Sequence, residues 1–506
     1  MDSSLEDHLL DPDDTPASLL GNNTHNTSHS SRWWILAVVA LAQLMVVLDA
    51  TVVNIALPSA QKALNFSNAD RQWIVTGYAL TFGSLLLLGG RLADHFGRKK
   101  TFVIGLIGFA LASALGGAAT SFSMLVTARA IQGAFGALLA PTALSLLTTT
   151  FTEPRERGKA FGIYGAIGGA GGAIGLLLGG VLTQYLSWRW SLYVNLIFAI
   201  LAAIIAVAVV HNEELKSKPK LDIPGVVAAS GAVFSLVYGF SHAETSGWSN
   251  PITIAFLVAG VVLLGIFVVL QMRVSHPLLP LRVVLDRNRG GSFLAIFTAS
   301  VGMFGTFLFL TYYLQLSLRF SPVKTGLSFM PMIVLLVIAA TTSTTRILPR
   351  FGSKYLIASG MLTASIGMVM LSRIGIQTTY LTGVLPGLMI VGAGLGAIMA
   401  PSMNTATAGV NPSDAGVASA TVNTSQQVGG SIGTSLLNTL AASAATAYLA
   451  HKVMNSASQA QANIHSYTAA FAWSAGIFLV GAIITFGLLK SGPAGPPALE
   501  QPNLAI

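Results

Sequence analysis

Fourteen stretches of this chain are mainly apolar and long enough to cross a lipid bilayer, which takes about 20 residues of helix. They cover roughly residues 33–58, 71–91, 101–119, 123–149, 160–183, 190–210, 223–241, 251–271, 292–315, 325–345, 355–372, 381–407, 415–445 and 468–489. Short polar segments separate them. The thirteenth stands apart, because VNTSQQVGGSIGTS (422–435) is polar for lipid. Its polar face is expected to look into protein or water. The pattern predicts an all-α membrane protein with fourteen spans.

Composition agrees. Charged residues make up 9% of the chain and apolar residues 53%, with a mean hydropathy of +0.70. A soluble domain carries about 25% charged residues, so lipid is the natural solvent here. The absence of cysteine excludes disulfides and thiolate metal sites. Residues 1–32 read as a disordered acidic tail: Asp2, Glu6, Asp7, Asp11, Asp13 and Asp14 meet no base before Arg32. The start is not that of a signal peptide, so the first apolar run is expected to be retained.

The net charge of +9 raises the question of nucleic acid, and the placement of the bases answers it. With the N-terminus inside, nineteen of the 27 bases fall in inner segments and seven in outer ones. This positive-inside bias puts both termini in the cytoplasm and accounts for the basic balance without a nucleic-acid partner. The base left over is Arg129, inside the fourth span.

Of 18 acids, Asp49 alone lies well within a span. At 1.5 Å per residue it sits about 24 Å along the first helix, and Arg129 about 21 Å up in a core of about 30 Å. The two charges fall at similar depth. One reading is a structural ion pair between helices. The other is a proton-exchanging carboxylate whose charge state follows the balance of burial against the neighbouring guanidinium. Both can hold at once.

The chain also repeats itself. RLADHFGRK (91–99) aligns with RILPRFGSK (346–354), and AFGALLAP (134–141) with GLGAIMAP (394–401). Two six-helix halves separated by two extra helices give this pattern, and such repeats build transporters with a central site. The division expected is 1–32 tail, 33–211 first bundle, 212–291 extra helices with their linkers, 292–490 second bundle and 491–506 tail. The counterpart of Arg129 is Met389, so ion coupling is expected in the first half. The extra helices hold no buried charge by this reading and are assigned to packing or to lipid.

These motifs resemble the major facilitator superfamily, specifically its fourteen-helix drug:proton antiporters. GGRLADHFGRKK (89–100) is similar to the superfamily's loop between helices two and three, which implies a cytoplasmic latch made of Gly90, Arg91, Asp94, Gly97 and Arg98. LDATVVNIALP (48–58) and ARAIQGAFGA (128–137) resemble the group's first- and fourth-helix motifs. The resemblance implies a proton role for Asp49, assisted by Arg129. HPLLPLRVVLDRNR (276–289) looks like an interfacial helix. One motif departs: GAIGGAGGAIGLLLGG (165–180) has Gly172 and Leu176 where the family carries prolines. Its glycines Gly168, Gly172, Gly175, Gly179 and Gly180 still offer small faces for close packing.

A G-x-x-x-x-G-K phosphate loop and an H-E-x-x-H metal site are both absent from the sequence, so an ATPase or a hydrolase is not expected. What remains is a secondary transporter, not an enzyme, with no metal and no cofactor beyond protons as the coupling ion. It is expected to be a bacterial exporter of lipophilic drugs or antibiotics in the cytoplasmic membrane. A symporter or lipid transporter on the same fold is the alternative. Gln132, Tyr312, Tyr313, Gln315, Asn423 and Gln427 are polar groups within spans that would line a cavity or join helices. Without a second buried acid, a neutral or monocationic substrate fits better than a dication. A monomer is the superfamily default.

Overall fold

A computed structural model describes residues 29–67, 70–151, 153–210, 222–274, 277–410, 415–450 and 452–492; the acidic tail and the linker bases Lys216, Lys218 and Lys220 lie outside these. The described residues are helical apart from short connections. The first half holds α1 (His29–Leu64), α2 (Gln72–Phe96), α3 (Arg98–Gly117), α4 (Phe122–Thr150), α5 (Pro154–Val181) and α6 (Trp190–Val209). Then come α7 (Ile223–Ser246), α8 (Pro251–Arg273) and the short α9 (Leu281–Val284). The second half holds α10 (Arg287–Tyr312), α11 (Pro322–Ser328), α12 (Met330–Thr342), α13 (Leu348–Leu371), α14 (Leu385–Thr407), α15 (Ala415–Leu449) and α16 (Ser456–Leu488). Each of the fourteen apolar runs falls on helix, which satisfies backbone groups that lipid cannot. Ten helical stretches among the described residues are long and apolar enough to cross a membrane. Of the interfacial helix expected over 276–289, only the single turn of α9 and the start of α10 from Arg287 are helical among the described residues, and Pro280 (ψ 117°) is non-helical just before α9.

The repeat is visible in the backbone. Gly97 (φ 93°) and Gly352 (φ 74°), matched in sequence, both break the helix in the left-handed region that side chains avoid. Gly136 presses α4 onto Phe82 of α2, and its match Gly396 presses α14 onto Leu336 and Ala340 of α12.

The bundle is closed at one end and parted at the other. At the end far from the termini, one apolar core includes Val53, Leu57 and Ile74 of the first half together with Tyr312, Phe329 and Met332 of the second, and within the second half it continues as far as Leu489. At the termini end the first half packs in a separate cluster with Val39, Phe102, Leu147 and Tyr164, and Phe293, Ala406 and Val422 of the second half form another. The same split runs down α5. Gly180 abuts Pro322, and Leu176 abuts Gly326, at the far end, whereas a Cβ on Gly172 two turns below Gly180 would touch nothing within 4 Å.

Helix α7 fills the seam between the halves. Ser241 donates to Ser435 (3.0 Å), Thr439 donates to the Phe240 carbonyl (2.6 Å), and Trp73 of α2 lies against Tyr238. Helix α8 lies outside α7, with Val258, Val261, Val262 and Leu264 exposed as a lipid-facing helix requires. The expectation of no buried charge here is corrected. Asp222, at the head of α7, is 5% exposed; it accepts from the Gly225 N–H (2.9 Å) and from Gln271 Nε2 of α8 (2.8 Å). A carboxylate that caps a helix and holds a second helix can be buried because its oxygens are satisfied.

Candidate functional site

Asp49 and Arg129 meet. Arg129 Nη1 donates to Asp49 Oδ2 at 2.6 Å, and the two residues are 2% and 0% exposed. The ARAIQG stretch of α4 builds this contact locally. Arg129 and Gln132, three residues apart, share one face of the helix. Gly133 removes the side chain that would hold α2 away, since a Cβ there would lie 2.3 Å from the Tyr78 carbonyl oxygen. The close approach brings the Ile74 carbonyl within 3.3 Å of Arg129 Nε and sets the Tyr78 ring 4.4 Å from the guanidinium carbon.

The remaining valences are filled by neutral side chains. Gln132 accepts from Arg129 Nη1 (2.6 Å) through Oε1, and its Nε2 donates to Asp49 Oδ1 (2.7 Å) and to Ser113 Oγ (2.8 Å). Asn195 Nδ2 of α6 donates to the same Asp49 Oδ1 at 2.8 Å and lies 3.5 Å from Ser113 Oγ. The Ser113 hydroxyl in turn donates to the Phe109 carbonyl (2.8 Å). Five helices, α1, α2, α3, α4 and α6, therefore meet in one network around the ion pair. Hydrogen bonds to a charged group contribute about 1.5–3 kcal/mol each, so the charge on Asp49 governs how tightly α4 and α6 are held to α1.

Ser113, Asn195 and Tyr78 were not foreseen from the sequence. A signal for Asn195 existed: it is the lone amide in the apolar run WSLYVNLIFAI. Neutral polar residues in spans serve so often as helix contacts that this signal alone would not have separated it from others.

The cavity candidates separate. Gln132 belongs to the carboxylate network. Tyr313 is fully buried and donates to the Gly375 carbonyl (2.8 Å), a strut within the second half. Tyr312 packs under Arg71, whose guanidinium carbon is 3.4 Å from the ring centroid, and Gln315 donates to the Ile55 carbonyl (3.0 Å). Both join the halves at the far end. Asn423 and Gln427 are half-buried on α15.

In the latch segment, Arg91 Nη2 donates to the Pro277 carbonyl at 3.2 Å, on the linker before α9, and Gly90 lies against Pro141. Arg98 starts α3 after the turn at Gly97. The Asp94 side chain lies outside the described residues. In the helix-five glycine stretch, Gly171, Gly175 and Gly179 form the face that packs on α1, against Val47, Thr51 and Val52. Gly172 takes no part in that face, and the surroundings of Gly168 lie outside the described residues. Among the described residues, no cluster of His, Asp and Glu could hold a metal ion.

A family model for the Major Facilitator Superfamily matches residues 39–434. A puromycin resistance protein of Streptomyces alboniger is 48% identical over 91% of this chain and 92% of its own length. A cephamycin export protein of Amycolatopsis lactamdurans is 36% identical over 83% of this chain and 87% of its own. Among solved structures, a bacterial homologue of the human lysosomal transporter Spinster, inward-facing and unoccupied, aligns with a TM-score of 0.63 at 18% identity. It covers 91% of this chain and 97% of that one.

Proposed function

This chain belongs to the Major Facilitator Superfamily, and on that premise we propose that it exports small antibiotic-like molecules in exchange for protons. It is a multi-pass membrane transporter rather than an enzyme. The names of its relatives, a puromycin resistance protein and a cephamycin export protein, support export as the direction despite the glycines in helix five. The observation that carries the proton reading is the pairing of Asp49 with Arg129 in a buried site at 2.6 Å. Arginine keeps its proton, so Asp49 is the member of the pair that can change charge.

The mechanism follows from the two ends of the bundle. Both termini lie in the cytoplasm of a bacterial cell in this reading, so the parted end faces the cytoplasm and admits substrate between the halves. Asn423 and Gln427 are the polar groups left to meet it. Substrate entering from the cytoplasm meets Asp49 in its ionised form, whose charge holds α1, α4 and α6 together. The halves 33–211 and 292–490 then rock: the seal at Gly180 and Gly326 opens while the latch segment closes the cytoplasmic end. A proton from the outer side then binds Asp49 as substrate leaves, the first half relaxes, and the return to the starting packing delivers that proton to the cytoplasm. Protons are the one coupling species needed, and no cofactor enters. A monomer suffices, and the substrate is lipophilic and neutral or singly positive.

Expression in a drug-sensitive bacterium tests this reading. Wild type should raise tolerance to puromycin, the compound named in the 48%-identical relative, and Asp49→Asn at equal membrane level should not. Increased sensitivity on expression of the wild type would indicate uptake and overturn export.

A further inference from the structure

Asp49 Oδ1 already accepts two amide hydrogens, from Gln132 and Asn195. A proton arriving from water on that oxygen would face two donors, and one of them must turn away. Gln132 is fixed at both ends of its amide, with Arg129 on its oxygen and Ser113 on its nitrogen. Asn195 is not. It is 0% exposed, its Oδ1 has no hydrogen-bond partner, and its second contact, to Ser113, is long at 3.5 Å. A rotation of half a turn about Cβ–Cγ exchanges its two ends with almost no change of shape.

We infer that Asn195 is a positioning residue that reads the charge of Asp49. Its Nδ2 donates to the ionised carboxylate, and its carboxamide inverts to accept from the protonated one through Oδ1. This rests on the proton-coupling reading above. The proton that lands on Asp49 Oδ1 comes from water and returns to water on release, and no bond other than O–H forms or breaks. The device is uneven by construction. In the ionised pose one acceptor of Asn195 is idle, whereas in the inverted pose its two N–H groups lose Asp49 and Ser113. The ionised pose is therefore the better satisfied, which favours return of the proton. The groups that can act electrostatically on this exchange are few: among the described residues facing Asp49 from the surrounding helices, Arg129 is the charged one and Tyr78 the titratable one.

Two measurements test the inference. The first is proton-induced infrared difference spectroscopy on full-length wild type carrying ¹³C-labelled asparagine. The expected result is a shifted side-chain amide band that disappears in both Asn195→Leu and Asp49→Asn. A protonated-carboxyl band lost in Asp49→Asn, with no labelled amide band, would overturn the inversion while leaving proton coupling intact. Absence of the carboxyl band in wild type would instead sink the proton reading itself. The second measurement is the pH profile of substrate-driven proton release in liposomes. Asn195→Leu removes a donor to the charged form and an acceptor for the neutral form, and the former is the stronger bond. The midpoint should move to higher pH by about one unit, tenfold in apparent proton affinity, with substrate KM unchanged. A reduced rate with an unmoved midpoint would make Asn195 merely structural.

Discussion

Gly326 approaches the carbonyl oxygen of Leu176 so closely that a Cβ on it would lie 2.5 Å away. One residue belongs to the second half and the other to the first, so the absence of a side chain at 326 is part of what seals the far end. Nearby, the Val323 N–H donates to Gln184 Oε1 at 3.3 Å.

Gly326→Val should therefore hold that end open. Overpacking of this kind costs about 1–3 kcal/mol, which shifts the balance of the two states about 5-fold to about 150-fold. Because the chain has no cysteine, a pair introduced at 184 and 323 reports the seal directly. Cross-linking should be efficient in the otherwise unchanged protein and should fall when Gly326→Val is added. Equal cross-linking in both would show that the seal does not depend on this approach.

The two members of the buried pair should differ in what their loss does to stability. Asp49→Ala leaves a guanidinium that cannot lose its proton, and removing one partner of a buried pair costs about 3–5 kcal/mol. Arg129→Gln leaves a carboxylate that can neutralise itself by taking up a proton, so its cost should be smaller. Thermal unfolding in detergent at neutral pH checks the order. A larger loss for Arg129→Gln would mean that Arg129 matters more through Ile74 and Tyr78 than through Asp49.

Asp222 should matter to folding and little to transport. Asp222→Ala removes an N-cap and the hold on Gln271, about 1 kcal/mol for the cap and a similar amount for the second bond. Asp222→Asn keeps the cap and loses the second bond, so it should fall between. Thermal unfolding together with export rate separates the two effects. A variant of normal stability with no export would give the buried acid a functional role instead.

The helices, the shared turn at Gly97 and Gly352 and the meeting of Asp49 with Arg129 were legible because each rests on a signal that stands out in a membrane chain: apolar length, a repeated loop and two lone charges at one depth. Gly97 and Gly352 could be matched by sequence before their shared backbone geometry was seen. The rest of the site was hidden for the same reason reversed. Ser113 and Asn195 are neutral, and neutral polar residues recur throughout the spans without distinction. Asp222 was passed over because it lies just outside a span, where acids are ordinary. Tyr312 and Gln315 make contacts between the halves that polarity within a span does not reveal.

The most direct measurement uses purified protein in liposomes with an internal pH dye and an imposed proton gradient. Puromycin and a panel of lipophilic cations and neutral antibiotics are added to wild type and to Asp49→Asn. Coupling through Asp49 predicts substrate-triggered proton flux in wild type and none in Asp49→Asn. Flux that survives the substitution would make the Asp49–Arg129 pair structural and move the proton to another site.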